Sequence, residues 1–240
     1  MTVIGSAAAR NRLLAKLQAV DLERLLPHLT EVPLRLGATL YESGEKPDSV
    51  CFPATAIVSM MFGLASGAGA EVAAIGNEGM VGVSQLLGGQ SMPGFATVRA
   101  SGVGYRIDAG ILRQAFGQSP HLRRLLLRYT QALMTQITQA AVCNRIHNTE
   151  QQLCGWLLAT LDRGASGELV MTQELVAGAL GVRRESISEA AGRLQRANLI
   201  FYRRGHISVL DRAALESRSC ECYAVVKREV ARLLGEPLPR

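Results

Sequence analysis

The sequence predicts an α+β chain that contains an antiparallel β-roll, one long helix and a C-terminal winged helix-turn-helix. Three observations predict this fold. Of the 24 glycines, 15 lie between residues 36 and 120, whereas residues 121–149 contain neither glycine nor proline. Residues 183–206 contain six arginines and only two glutamates. Glycine-punctuated short strands, an uninterrupted helix and a basic segment are the features expected of these three structures.

The predicted organisation has four segments. With 48% hydrophobic and 19% charged residues, the 240-residue chain has the composition of a globular protein. We expect an N-terminal helix and β-roll, a dimerisation helix, a winged helix-turn-helix domain and a C-terminal tail, with the boundaries 1–119, 120–149, 150–218 and 219–240.

The β-roll is predicted from short apolar runs at 57–62, 71–75 and 96–98 that glycines separate. Helices that a parallel sheet would need between strands are absent from this stretch. Residues 49–70 carry no charge and are numerous enough to cross a bilayer, but Pro53 and three glycines favour a pair of strands. Because residues 1–12 also lack the apolar core of a signal peptide, we expect a cytoplasmic protein with reduced thiols and no membrane contact.

The long helix is predicted over about 121–147, with Pro120 at its start. Apolar residues recur along it at alternating spacings of four and three, which is the pattern of a coiled-coil seam. This pattern favours a homodimer, although a helix packed against its own domain would show it too. The predicted dimer residues are Leu122, Leu126, Tyr129, Leu133, Ile137 and Ala140.

The helix-turn-helix is predicted over residues 172–198. Thr172 can cap a first helix that ends at Gly181, where a tight turn needs a positive φ. A second helix begins near Arg183 and exposes charged and hydroxyl side chains. The apolar contacts between the two helices are expected from Val176, Ala177, Leu180, Val182, Ile187 and Ala190.

A β-hairpin wing is predicted directly afterwards, over residues 199–210. Two apolar strands flank an Arg-Arg-Gly turn, which places basic side chains where they can contact phosphates. The predicted DNA-binding residues are Thr172, Gln173, Arg183, Arg184, Glu185, Ser186, Ser188, Glu189, Arg193, Arg203, Arg204 and His206.

The segment at 181–189, Gly-Val-Arg-Arg-Glu-Ser-Ile-Ser-Glu, resembles the recognition helix of the CRP/FNR superfamily, the cyclic-AMP receptor and fumarate–nitrate regulator type. The resemblance extends over about residues 20–211. It implies a homodimeric transcription regulator that binds palindromic double-stranded DNA, contacts RNA polymerase and has no enzymatic activity. It also implies that Arg184 and Glu185 read bases, with Ser188 as a further candidate. Glu189 departs from the arginine usual in the family, so a different operator sequence is expected.

The resemblance is weaker in the cyclic-nucleotide-binding-like β-roll. The family's pocket carboxylate is replaced by Val83, and its phosphate-binding arginine falls at Gly94 or Phe95. A cyclic phosphate would therefore lose its strongest charge-assisted bond. We expect a degenerate pocket with an unidentified effector, and the basic residues that could replace the missing arginine are Arg99, Arg124 and Arg128.

The cysteines offer two pairs that could bind a metal or respond to oxidants. Cys143 and His147 are four residues apart on the long helix, and Cys220 and Cys222 form a Cys-Glu-Cys motif. Neither pair alone has the four ligands of a structural zinc site. The sequence therefore favours ordinary thiols with no metal and no cofactor, and a redox- or metal-responsive regulator remains the alternative.

Two further functional classes make different demands on the sequence. A β-barrel enzyme with a cupin-type metal centre would need histidine ligands, but residues 36–120 contain no histidine. An interaction module could instead use the winged helix only for protein contacts, and salt-dependent binding to duplex DNA would distinguish it from a DNA-binding protein.

Overall fold

The computed structural model describes residues 7–63, 69–89, 91–164 and 168–237. The chain divides into two compact units. The first is drawn from residues 1–60 and 74–131, and the second from residues 61–73 and 132–240.

Between Arg12 and the first strand lie two short helices and a 3₁₀ turn rather than one continuous helix. Their bounds are α1 (Arg12–Ala15), α2 (Ala19–Leu25) and a 3₁₀ turn at Leu26–His28. The fully buried Asn11 caps α1, and its side-chain amide also donates to the carbonyl oxygens of Pro53 and Gly79, each at 2.8 Å. Asn11 therefore fixes the first helix to the roll, which the apolar pattern alone did not indicate.

Seven strands form two sheets, with the orders β1-β7-β3 and β2-β6-β4-β5. The β1–β7, β3–β7 and β2–β6 pairs are antiparallel. The predicted α+β fold with antiparallel sheets is therefore confirmed, and the uncharged stretch at 49–70 forms strands in its described part. Residues 64–68, within that stretch, lie outside the described residues. The strands are β1 (Thr30–Leu34), β2 (Thr39–Tyr41), β3 (Ser49–Pro53), β4 (Ile57–Gly63), β5 (Gly69–Ile75), β6 (Phe95–Ala100) and β7 (Gly102–Asp108).

Two consecutive helices follow β7. The first, α3 (Ala109–Gln118), begins at Asp108, whose carboxylate accepts a hydrogen bond from the Ile111 amide at 2.9 Å. This helix was not predicted, although an aspartate at an N-cap is a recognisable start signal. The second, α4 (Pro120–Ile146), has the bounds expected of the long helix.

Most of the predicted dimer seam on α4 is covered by the chain itself. Leu122, Leu126, Tyr129 and Leu133 are each at most 5% exposed. The hydroxyl of Tyr129 donates to the Met80 carbonyl at 2.9 Å, within the first unit. Side chains buried in the protomer have little surface left to offer a partner. The other two predicted seam residues, Ile137 and Ala140, are partly buried.

The other face of α4 carries the exposed apolar side chains. Leu127 is 48% exposed, Met134 63%, Val142 46% and Ile146 70%. Leu127, Met134 and Ala141, which is also exposed, follow one another at intervals of seven. This outer stripe has coiled-coil spacing, one position along the chain from the seam that was predicted.

The second unit continues with helices and a three-stranded sheet of order β8-β10-β9. The side chain of Asn148 begins α5 by accepting from the Gln151 amide at 3.0 Å, and Gln151 Oε1 accepts from the Asn148 backbone amide at 3.2 Å, which completes a capping box. The elements are α5 (Thr149–Leu161), β8 (Glu168–Val170), α6 (Gln173–Leu180), α7 (Arg184–Arg196), β9 (Ile200–Arg203), β10 (His206–Val209), α8 (Arg212–Arg218) and α9 (Glu221–Leu234).

The segment predicted as a C-terminal tail is largely the helix α9. It is amphipathic, and Cys222, Ala231, Leu233 and Leu234 are buried. The prediction of a tail overlooked the apolar periodicity of this stretch. Among the described residues, no helix combines the length and apolar character needed to span a bilayer.

Candidate nucleic-acid interface

The helix-turn-helix is fixed by local hydrogen bonds at both ends of α6. The Thr172 hydroxyl accepts from the Leu175 amide at 3.1 Å and caps the N-terminus. At the C-terminus, Gly181 has φ +65° and ψ +32°, a left-handed conformation that glycine adopts without steric cost. Arg183 then returns to an extended conformation and begins α7. Thus the turn that was predicted from Gly181 sets the direction of the second helix.

The inner faces of α6 and α7 pack together in a core shared with α5. Val176, Ala177, Ile187 and Ala190 are at most 3% exposed, and Leu180 and Val182 pack at the edge of the same cluster. This core contains the six predicted contacts. It orients α7 so that its other face lies in solvent. The residues that α5 contributes are Leu153, Cys154, Trp156, Leu157 and Leu158.

The N-terminal turn of α7 carries charged side chains that are exposed and unpaired in the described part of the chain. Arg183, Arg184 and Glu185 are exposed, and none of the three side chains has a hydrogen bond or ion pair within the described part of the chain. Ser186 is partly buried. By contrast, the Ser188 hydroxyl donates to Gln173 Oε1 at 2.5 Å and so links the two helices of the motif.

Two other predicted DNA-binding residues are engaged in ion pairs. Arg193 Nε lies 2.6 Å from Glu150 Oε2, and its Nη1 lies 2.7 Å from Glu189 Oε1. Arg218 approaches the other Glu150 oxygen at 3.3 Å. The hydrogen bond with Glu150 raises the pKa of the Arg193 guanidinium. Arg193 is therefore held by Glu150, 43 residues away in sequence, and Glu189 is held by Arg193 one turn further along the same helix.

The outer face of α7 continues into an open groove of about 430 Å³ beyond Ser188. Gly192 has nothing within 4 Å of the position a Cβ would take, and Arg196 is exposed beside it. Arg196 was not among the predicted DNA-binding residues. Its spacing of eight from Ser188 places it on the same helical face and could have identified it.

The wing is a hairpin with a two-residue turn. Arg204 and Gly205 have φ values of +50° and +82°, the combination that a type I′ turn requires. Arg203 pairs with His206 across the hairpin, and both side chains and Arg204 are exposed. β8 pairs with the other edge of β10, which makes a third strand that was not predicted.

The predicted effector residues are divided between the interior and the surface of the first unit. Val83 and Gly94 are buried, Phe95 is partly buried at the start of β6, and Arg99 is 3% exposed within that strand. In contrast, Arg124 and Arg128 are exposed on α4.

Two open clefts contain these helix arginines. Arg124 lines one of about 500 Å³ together with Asp21 and His121, and both arginines line another of about 360 Å³. Neither cleft is lined by the predicted effector residues of the roll. Neither cleft therefore combines Arg124 or Arg128 with Val83 in one binding cavity.

Comparison with known proteins agrees with this architecture. Residues 151–218 match the model of the Crp-like helix-turn-helix domain. No curated protein matches the sequence.

Solved structures extend the likeness over most of the chain. A putative transcriptional regulator of the CRP/FNR family from Eubacterium rectale has a TM-score of 0.68 at 15% identity and covers 88% of this chain and 98% of its own. FixK2 from Bradyrhizobium japonicum gives 0.67 at 19% identity, with 80% and 98% covered. The c-di-GMP-responsive global regulator CLP from Xanthomonas campestris gives 0.62 at 15% identity, with 81% and 100% covered.

At these identities the structural likeness shows the fold, and the matched model identifies the domain that contains α6 and α7. The resemblance indicated by residues 181–189 is thereby confirmed. Residues 151–218 therefore form a Crp-like helix-turn-helix domain, and the chain as a whole has the fold of the CRP/FNR transcription regulators to which it is similar.

Proposed function

We propose that the protein is a transcription regulator that binds palindromic duplex DNA as a homodimer. The observation that supports this most directly is the free N-terminal turn of α7. Arg183, Arg184 and Glu185 project from a helix that the Gly181 turn and a buried core hold in place. A helix of this kind enters the major groove with its N-terminal side chains against base edges.

The side chains of α7 and the wing have different chemical roles in this proposal. The Arg184 guanidinium is suited to the two acceptors of guanine, and the Glu185 carboxylate to the amino group of cytosine. Arg203 and Arg204 on the wing contact phosphates, which positions the domain without reading sequence. Arg193 instead holds the domain together through Glu150, so it contributes to DNA binding by positioning α7.

The homodimer is proposed to form through the outer stripe of α4, which consists of Leu127, Met134, Ala141, Val142 and Ile146. These side chains are apolar and exposed, and Leu127, Met134 and Ala141 follow the seven-residue spacing of a coiled coil. A second copy of the helix would bury them against their symmetry mates. Two DNA-binding domains related by a two-fold axis require half-sites about 34 Å apart, or a multiple of one helical turn.

The resemblance also leads us to expect that an effector controls the regulator and that the regulator contacts RNA polymerase. The burial of Val83 and Gly94 is compatible with a roll that does not bind a cyclic nucleotide in the family's manner. Calorimetric titration of the full chain with cyclic AMP, cyclic GMP and cyclic di-GMP tests this directly. Micromolar or tighter binding of cyclic AMP or cyclic GMP would contradict the degenerate pocket.

Selection of bound sequences from a random duplex library tests the function itself. We expect an enriched palindrome, and the affinity for it should fall steeply as salt rises, because bound phosphates release counterions. The length of the palindrome gives the half-site spacing. Salt-dependent binding without any enriched sequence would contradict a specific regulator, and absence of duplex binding would favour an interaction module.

A further inference from the structure

The four metal-ligating side chains that formed two separate pairs in the sequence meet in the second unit. The ligand atoms of Cys143, His147, Cys220 and Cys222 all lie within 4.8 Å of one another. Cys143 Sγ lies 3.5 Å from Cys220 Sγ, and Cys222 Sγ lies 3.5 Å from His147 Nδ1. We propose that these four side chains bind one thiolate-preferring divalent metal ion, Zn²⁺, in a closed structural site.

The spacing of the atoms suits a single tetrahedral ion. Zinc lies about 2.3 Å from sulfur and about 2.0–2.1 Å from nitrogen, so the edges of the ligand tetrahedron measure roughly 3.5–3.8 Å. The two contacts of 3.5 Å match such edges. Three cysteines and one histidine are also a recognised structural set that leaves no position for water.

The surroundings of His147 orient one ring nitrogen toward the three sulfurs. His147 Nε2 lies 3.3 Å from Glu221 Oε2, and a carboxylate this close favours the proton on Nε2. The lone pair is then on Nδ1, the nitrogen that faces Cys222. A carboxylate behind a ligating histidine fixes the tautomer and the ring plane in metal sites generally.

Further hydrogen bonds hold the backbone and one sulfur of the cluster. Gln139 Nε2 donates to Cys222 Sγ at 3.1 Å. Gln152 Nε2 donates to the carbonyl oxygens of His147 at 2.8 Å and Cys143 at 3.3 Å. Ligands supported in this way lose little freedom when an ion binds, which favours affinity.

Two helix ends bring the ligands together. Cys143 lies in the last turn of α4, and His147 directly follows the helix, with its amide bonded to the Cys143 carbonyl at 3.0 Å. Cys220 is the N-cap residue of α9, and Cys222 lies in its first turn. Negative thiolates are favourable at a helix N-terminus. An ion here would fasten the end of α4 to the start of α9, across 77 residues of sequence.

The ligand set also selects the kind of ion. Thiolates favour zinc and similar soft or borderline ions over Mg²⁺ or Ca²⁺, which prefer oxygen. A disulfide between Cys143 and Cys220 is the competing use of these sulfurs. It would shorten their contact from 3.5 Å to about 2.05 Å and remove two of the four ligands.

Metal analysis of the reduced, full-length protein tests the site. The protein is expressed in zinc-supplemented medium and purified by gel filtration. Elemental analysis by inductively coupled plasma mass spectrometry should then find about one zinc per chain. Replacement of zinc by Co²⁺ should produce the intense thiolate-to-cobalt band and the visible bands of a tetrahedral site. This measurement does not depend on DNA binding, so its outcome is separate from that of the proposed function.

Variants distinguish this site from adventitious binding. Cys220→Ala should abolish stoichiometric zinc and the cobalt band, whereas Cys154→Ala, which removes another buried cysteine of the same unit, should retain both. Glu221 is 72% exposed, so Glu221→Ala should fold normally and yet weaken Co²⁺ binding about 10-fold through His147.

Three results would overturn the proposal. One is wild-type protein with less than about 0.1 zinc per chain and a weak, octahedral cobalt spectrum. Another is a Cys220→Ala variant that keeps the thiolate-to-cobalt band. The third is a Cys143–Cys220 disulfide found by peptide mapping in protein kept under reductant with zinc present.

Discussion

The helices α4 and α7 are both amphipathic, but the residues predicted to face a partner are exposed at the start of α7 and mostly buried on α4. In α7 the buried residues Ile187 and Ala190 pack on a neighbouring helix only a few residues away in sequence. In α4 the chain itself covers the predicted seam, and the outer stripe is left exposed. Periodicity locates an apolar face, but it does not tell whether that face is buried by the same chain or by a partner.

The strongest test of this comparison uses two adjacent residues of α4, one buried and one exposed. Leu133→Glu places a carboxylate at a position that is 5% exposed and should lower the free energy of unfolding by about 3–5 kcal/mol. Met134→Glu, at a position 63% exposed, should leave the protomer folded but dissociate the dimer. Thermal unfolding and light scattering measure the two effects. A folded, monomeric Leu133→Glu protein together with a dimeric Met134→Glu protein would show that the dimer forms through the seam that contains Leu133.

A second test concerns base recognition by the exposed turn of α7. Arg184→Ala should cost about 1–3 kcal/mol in operator binding and relax base choice at one position per half-site. Fluorescence anisotropy with the selected operator and with duplexes altered at single base pairs measures this. Arg228→Ala, which removes an exposed charge from α9, is the matched control. An equal loss of affinity for every sequence would make Arg184 a phosphate contact.

A third test concerns the turn that orients α7. Gly181→Ala forces a side chain into the left-handed region, at a cost of about 1–2 kcal/mol. The added Cβ would also lie 3.2 Å from the Cβ of Ala70. Gly178→Ala, within α6 and with open space around the added carbon, should instead be neutral or stabilising by up to about 1 kcal/mol. Equal unfolding midpoints for the two variants in urea would show that the turn does not need glycine.

The smallest expected effect is on the wing. Arg204→Asn removes the charge but keeps a residue that tolerates positive φ, so the hairpin should persist. In a dimer the two lost phosphate contacts should reduce the slope of log affinity against log salt by about 2. Sequence preference should stay unchanged when selection from the random library is repeated. A changed preference would assign Arg204 to base recognition.

Much of the DNA-binding domain could be predicted from the sequence because its determinants are local. The Thr172 hydroxyl caps α6 by accepting a hydrogen bond from the amide of Leu175, only three residues later. Gly181 supplies the positive φ of the turn. The glycine after Arg204 likewise marks the wing. These signals act over a few residues, so they identify turns and helix ends without knowledge of the rest of the chain.

The long-range features could not be obtained in this way. Glu150 is 43 residues from Arg193, and its position beside that arginine removes Arg193 from the set of free cations. Cys143 and Cys220 are 77 residues apart, and neither pair of potential ligands forms a complete zinc site by itself.

By itself, the sequence determined the α+β class, the long helix, the two helices around Gly181 and the basic wing, since hydrogen-bonding and steric preferences of neighbouring residues specify each of them. The tertiary structure alone decided which face of α4 remains exposed, which arginines of α7 are free, and that three cysteines and a histidine meet. These outcomes depend on how distant segments pack, and burial and pairing energies between such segments are not encoded in any local spacing.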